Sequence, residues 1–272
     1  MSKRDYHEII DIMSNNKFWI YGYGKAAKRL YRQVVKYGFE QNLSEFIVTD
    51  LSSVNERFCE KDVISLDLVD KNDWIIIAAD IVSTEEIYSY LSEKKYNKII
   101  RGVFSIIDLE CGPPIEFGRK LPAKSYFVNN SLVSWVIAIY LAATKYINQD
   151  ISGKDIYIRL VSRWLGKVAA EKDYYRFMDK VKLCELNGFS QDYPIKVCKD
   201  LYLMDGAHRV VLSQCFGDGN VLADVHGVTR EKWARITNTR AQGLDSEKEL
   251  LNYLTKDEIA VLKKVYNQFA KL

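Results

Sequence analysis

Short apolar runs alternate with amphipathic stretches over the first part of the chain. Residues 1–16 read as a helix that leads into "KFWIYGYGKAAKRLYRQVVKYG". There an apolar strand at 18–21 meets glycines at 22 and 24, and a helix follows that ends near Gly38. "EFIVTD" (45–50) predicts a second strand finishing on an acid, and "VISLDLV" a short strand or a turn with a helix. "DWIIIAAD" (73–80) is apolar throughout, as expected of a parallel strand covered on both faces. "STEEIYSYLSEKKY" predicts a helix with Ser83 or Thr84 as N-cap, acids in its first turn and lysines at its end. "KIIRGVF" supplies one more strand. Strand and helix alternate through residues 17–107, which predicts a parallel α/β sheet.

The pattern breaks at "CGPPIEFGRKLP", which holds three of the chain's 4 prolines and reads as an inter-domain linker or crossover loop. The predicted domains are therefore residues 1–112 and 113–272. The second opens with a helix at 130–147, a strand "DIYIRLV" (155–161) and a helix from about 169 to 187, stopped by Asn187-Gly188. "YPIKV", a turn at Lys199-Asp200 and "LYLM" predict a hairpin, followed by a helix, a strand at 221–225 and a helical tail. The most apolar helix, "SLVSWVIAIYLAATKYI", carries Ser131, Ser134, Tyr140, Thr144 and Lys145, which fits burial in a core rather than in a bilayer.

Composition narrows the function classes. The 272 residues suit two domains, and 48% hydrophobic with 28% charged residues describes an ordinary globular protein. A net charge of +3 gives no general argument for a nucleic-acid or membrane partner, so the expected partner is a small-molecule substrate, with the oligomeric state open. The 5 cysteines, Cys59, Cys111, Cys184, Cys198 and Cys215, form no CxxC pair. That argues against a zinc site or a disulfide framework and fits a reducing, cytoplasmic setting. The start, "MSKRDYHEII", lacks the apolar core of a signal peptide.

Two stretches carry candidate chemistry. Gly22-Tyr23-Gly24-Lys25-Ala26-Ala27 reads G-x-G-x-x-A between a strand and a helix. Small residues there allow a tight turn and a backbone that a pyrophosphate can approach at the helix N-terminus, while Asp50 can accept from a ribose. The bland reading is a packing turn that binds nothing. The segment resembles the N-terminal Rossmann-like domains of bacterial surface-polysaccharide proteins, including sugar-nucleotide acetyltransferases. That resemblance implies a nucleotide-sugar ligand, which competes with NAD.

The second stretch is "YLMDGAHRVVLSQCFGDG" (202–219), where a strand runs into Asp205-Gly206-Ala207-His208-Arg209 and then into a helix. Two cations in a first turn oppose the helix dipole, which favours anions there. The arrangement predicts a phosphate clamp: Asp205 caps the helix or orients His208, Gly206 lets a ligand approach, and His208, Arg209 and the amides next to Ala207 converge on an anion. The bland alternative is an ordinary helix start with a surface ion pair. His226 is a further candidate for the same pocket, or a loop histidine. Arg159, Arg163 and Lys167 add positive charge nearby or form a solvated face, and Tyr174 or Tyr175 stacks a base or fills the core. Trp135, Trp164 and Trp233 read as packing. Asp205 is the carboxylate nearest the clamp, with Glu171 and Asp173 as further candidates for a catalytic base.

The pattern at residues 183–225 resembles the ParB/sulfiredoxin-like fold, an α+β domain whose members run a helix, "nG", "yPI-V", a short turn, a strand, a D/G-G-x-H-R-type box and a helix; the resemblance covers roughly residues 155–227. The resemblance implies nucleotide-phosphate binding at Asp205, Gly206, His208 and Arg209, with ATP or another nucleotide and Mg²⁺. Ala207 stands where sulfiredoxin has its reactive cysteine, so that repair chemistry is excluded. No reading helix of the partition proteins follows residue 227. The box agrees with that of the free-serine kinases. The expectation is a nucleotide-dependent phosphotransferase, a small-molecule kinase in surface-polysaccharide biosynthesis, with no metal ligands assigned. The alternatives are a non-catalytic nucleotide or nucleotide-sugar binding protein, an NAD(P)-linked oxidoreductase and, last, a DNA-binding regulator.

Overall fold

The structure is a computed structural model and describes residues 3–52, 54, 56–79, 81–102, 105–128, 133–191, 193–237 and 247–271. The chain divides into two compact units, Met1–Pro113 and Pro114–Leu272. Each is an α/β assembly around its own sheet.

In the first unit the order is α1 (Lys3–Asn15), β1 (Phe18–Tyr21), α2 (Lys25–Lys36), β2 (Leu43–Val48), β3 (Arg57–Phe58), β4 (Lys61–Ser65), β5 (Trp74–Ile77), α3 (Ile81–Glu93), β6 (Lys98–Ile100) and α4 (Ile106–Cys111). The sheet runs β3-β4-β2-β1-β5-β6, and every pair is parallel except the short β3–β4 hairpin. β5 shows why its sequence is apolar at consecutive positions. Ile76 packs with Phe18, Ile20 and Leu30 on one face, while Ile75 and Ile77 pack with Tyr21, Ile47 and Leu91 on the other. A strand covered on both faces has no solvent side to mark with polar residues. "VISLDLV" resolves into β4 and a 3-10 turn, Leu66–Leu68, where Ser65 Oγ accepts from the Asp67 amide. The predicted N-cap of α3 is corrected: the helix already begins at Ile81, so Ser83 and Thr84 lie inside it, and Thr84 is fully buried.

The second unit runs β7 (Pro114–Pro122), a 3-10 turn (Ala123–Phe127), α5 (Val133–Ile147), α6 (Ser152–Leu165), α7 (Lys167–Asn187), β8 (Ile195–Cys198), β9 (Leu203–Asp205), α8 (Ala207–Phe216), β10 (Asn220–His226), α9 (Arg230–Thr237), α10 (Glu247–Leu250) and α11 (Lys256–Ala270). Its sheet is ordered β7-β10-β8-β9, antiparallel, parallel and antiparallel in turn.

Two expectations are overturned here. The proline-rich stretch does hold the boundary between the units, after Pro113, but from Pro114 onward it is a strand, β7, and not a loop. It occupies the sheet edge, where a missing N–H breaks no ladder, and Pro114 and Pro122 close its two ends. Between them Gly118 turns at φ 62° and donates its amide to Asp224 Oδ1, 3.0 Å away. The stretch read as a strand at 155–161 is part of α6. Its buried residues Ile156, Tyr157, Leu160 and Val161 recur at helical spacing, so one stripe faces the core. α5, α6, α7 and α8 share this core with the inward face of the sheet, including Ile195, Val197 and Val225. No described helix is long and apolar enough to cross a membrane.

Candidate functional site

β8 and β9 form the predicted hairpin, with Leu201 in the left-handed region at φ 59°. β9 ends at Asp205, and Gly206 takes φ 109° before α8 begins at Ala207. A Cβ on Gly206 would lie 2.5 Å from Ile195 Cγ2 and 3.2 Å from Arg209 Nε. The glycine is therefore required by the protein's own packing on β8. That corrects the expectation that it clears space for a ligand. The first turn of α8 carries no acidic residue, and no side chain caps it. Its leading amides consequently have no intrahelical acceptor.

The two cations of the box do not converge as expected. Arg209 turns back on its own hairpin. Nη1 donates to the carbonyls of Tyr193 (3.0 Å) and Pro194 (2.6 Å), and Nη2 donates to Asp205 Oδ2 at 2.6 Å. Asp205 thus neutralises Arg209, and it neither caps α8 nor holds His208. Five N–H bonds on a guanidinium leave two uncommitted among the described residues after these three contacts.

His208 points the other way, among aromatic rings. Its imidazole lies 4.5 Å from the Phe177 ring and 5.8 Å from Trp135, both measured between centroids. Nε2 is 2.8 Å from the hydroxyl of Tyr157, which itself donates to Asp173 Oδ2 at 2.7 Å. The residue is half-buried, with Nε2 on the edge of the ring that faces the buried Tyr157. Desolvation outweighs the pull of Asp173 and lowers the imidazole to about 4, so His208 is neutral at ordinary pH. Burial and the Asp173 carboxylate push the Tyr157 phenol upward, so it keeps its proton. The site is therefore an internally neutralised ion pair beside an uncapped helix start, with a hydrogen-bonded Asp173–Tyr157–His208 chain behind it.

The remaining candidates scatter. Asp173 joins the box through Tyr157, whereas Glu171 makes no contact with the box among the described residues and acts on Lys154. Tyr174 is 3% exposed and belongs to the core, while Tyr175 is exposed and accepts from Lys154 Nζ. Arg159 pairs with Glu258 on α11, Arg163 lies over the Tyr253 ring, and Lys167 opens α7 at the surface. His226 ends β10 and is fully buried, which corrects its reading as a loop residue. Trp135 and Trp233 pack in the core as expected; the side chain of Trp164 lies outside the described residues.

In the first unit, Gly22 (φ 116°) presses on the backbone just after β5, where a Cβ would meet the Ala78 carbonyl oxygen at 2.8 Å. Gly24 is the N-cap of α2, has no side-chain cap and would place a Cβ in open space. Asp50 is exposed and accepts from the Ser52 amide at 2.8 Å, a bond that lowers its carboxyl. It closes a turn of its own.

Residues that the sequence did not flag also shape the second unit. Tyr157 is one. Gln191 is another: its amide accepts from Leu222 N (2.7 Å) and donates to Leu222 O (2.8 Å), imitating a strand residue beyond the start of β8. An open depression of about 300 Å³ lies beside it, lined by Lys120, Phe189, Gln191, Asp218 and neighbours, toward the C-terminal end of α8. Among the described residues no group of three or more His, Cys, Asp or Glu side chains could hold a metal ion.

No protein-family model, curated protein or solved structure matches the chain.

Proposed function

We propose that the second unit is a nucleotide-dependent phosphotransferase acting on a small hydroxyl-bearing acceptor, in a ParB/sulfiredoxin-like α+β domain. The observation that carries this reading is the start of α8. An uncapped, acid-free first turn adjoins a guanidinium with two uncommitted N–H bonds, and such an edge suits a phosphate oxygen. The recognition is by backbone amides and one anchored arginine rather than by two free cations. The box has no carboxylate free of Arg209 for a metal, so Mg²⁺ entering with a nucleotide would be held by its phosphates and water.

The first unit is read as Rossmann-like. Leaving aside the small β3, its strands follow the order β4-β2-β1-β5-β6, which has the dinucleotide-binding arrangement with β1 and β5 at the switch point. Gly24 leaves room at the α2 N-terminus for a nucleotide-sugar or NAD. A cytoplasmic role in surface-polysaccharide assembly is the setting this pair of units suggests.

One observation favours the non-catalytic alternative: the depression beside Gln191 lies away from the box, so binding without turnover is the second reading. Titration of the full chain with ATP, CTP and inorganic phosphate, each with Mg²⁺, followed by transfer assays with γ-labelled ATP and hydroxyl acceptors, separates the two. The enzyme reading expects nucleotide binding that weakens at least about tenfold in Arg209→Gln, the effect of losing a charged hydrogen bond, and is unchanged in Lys120→Ala. Saturable binding with no labelled product selects the alternative. Equal affinity in wild type and Arg209→Gln removes the enzyme reading, and equal affinity in Lys120→Ala as well removes both.

A further inference from the structure

The phenol of Tyr157 has one hydrogen, and it is directed to Asp173 Oδ2 at 2.7 Å. The Tyr157 oxygen can therefore only accept from His208 Nε2, 2.8 Å away, which places the imidazole proton on Nε2. His208 makes no other hydrogen bond among the described residues. Its Nδ1 is left with a lone pair. Phe177 and Trp135 wall the ring and fix its plane.

We infer that Tyr157 and Asp173 are positioning residues that lock His208 in the Nε2–H tautomer, so that Nδ1 serves as the proton acceptor in the phosphoryl transfer. The inference rests on the function proposed above. As the acceptor hydroxyl attacks the terminal phosphorus of the nucleoside triphosphate, its O–P bond forms and the bridging O–P bond breaks. The hydroxyl proton passes to Nδ1, the nucleoside diphosphate leaves, and Nδ1 later returns the proton to solvent. The imidazolium formed meanwhile is held by the same chain, with Nε2–H on Tyr157 and Tyr157 on the Asp173 carboxylate. The charged groups acting on the ring come from three elements. Asp173 and Lys180 lie on α7, Asp205 on β9 and Arg209 on α8; the two acids favour the charged ring and the two bases oppose it.

The test is nitrogen NMR of the full chain with ¹⁵N-labelled histidine, His208 being assigned from His208→Gln among the 3 histidines. Wild type is expected to show a protonated Nε2 and an unprotonated Nδ1 at neutral pH. Tyr157→Phe is expected to give a mixture of tautomers and a kcat about tenfold to a hundredfold lower with an unchanged nucleotide KM. Asp173→Asn still accepts from Tyr157. It should keep the tautomer while lowering the His208 pKa read from the same spectra, because the carboxylate that raises it is gone. A proton on Nδ1 in wild type, or an unaltered tautomer in folded Tyr157→Phe, overturns the lock. A wild type with the expected spectrum and no transfer to any acceptor overturns the base role together with the phosphotransferase reading, while the lock survives.

Discussion

At residues 21–25 and again at 205–209 a strand passes the chain to a helix through a glycine in the left-handed region, at φ 116° for Gly22 and 109° for Gly206. Both glycines press on a neighbouring segment, Gly22 on the Ala78 backbone just after β5 and Gly206 on the Ile195 side chain of β8. Beyond that the two junctions part. After Gly22, Gly24 faces open space and the first turn of α2 offers Lys25 to solvent. After Gly206 both basic side chains are turned back into their own unit, Arg209 onto β9 and the Tyr193–Pro194 segment before β8, and the neutral His208 onto α6 and α7. The same glycine grammar thus serves two different wirings. What a strand–turn–helix junction can bind is decided by where its side chains go, which the spacing of glycines does not encode.

The comparison breaks most readily at the glycines. Gly206→Ala is expected to destabilise the second unit by about 3 kcal/mol, from left-handed strain and from a Cβ forced on Ile195. Gly22→Ala should destabilise the first unit by about 2–3 kcal/mol, since the Ala78 carbonyl is backbone and yields little. Denaturant unfolding followed in each unit measures both, and a loss under about 1 kcal/mol at either position would mean the junction relaxes. The inward wiring of His208 gives the next effect. Its pKa is lowered from 6.5 to about 4 in the folded chain, so the unfolded chain takes up a proton first as the pH falls. Its contribution is complete above pH 6.5 and is lost progressively toward pH 4, by a total on the order of 2–3 kcal/mol. Unfolding free energies measured across that window should lose this slope in His208→Gln; an unchanged slope would place the imidazole in water. The smallest effect is expected at Gly24→Ala, about 0.5 kcal/mol or less, because nothing lies within 4 Å of the new Cβ. Because it leaves the fold intact, that substitution also sharpens the contrast: it should weaken a ligand held at the α2 N-terminus without melting the unit.

The alternation of the first unit was legible because β1 and β5 are apolar without interruption and the stretches between them are amphipathic. The location of the box was legible too, since the hairpin and the start of α8 follow from Asp205-Gly206 and the hydrophobic runs beside it. α6 was not. Its Ile156, Tyr157, Ile158, Leu160 and Val161 have strand propensity, and only the seating of Gly153 against the Leu141 carbonyl of α5 reveals a closely packed helix pair. β7 hid behind its prolines, which signal a linker unless the strand is known to be an edge. The directions of His208 and Arg209 were beyond the sequence, because they depend on Tyr157 and Asp173 from two helices and on carbonyls of the Tyr193–Pro194 segment.

Gln191 has an effect that reaches past the hydrogen bonds it makes. By clasping Leu222 it tethers the approach to β8, and the Tyr193 and Pro194 oxygens that receive Arg209 hang from that same approach. The guanidinium is moored to a short quay, and Gln191 is the rope at one end. Cutting it would let the berth drift while every charged residue of the box stayed in the sequence.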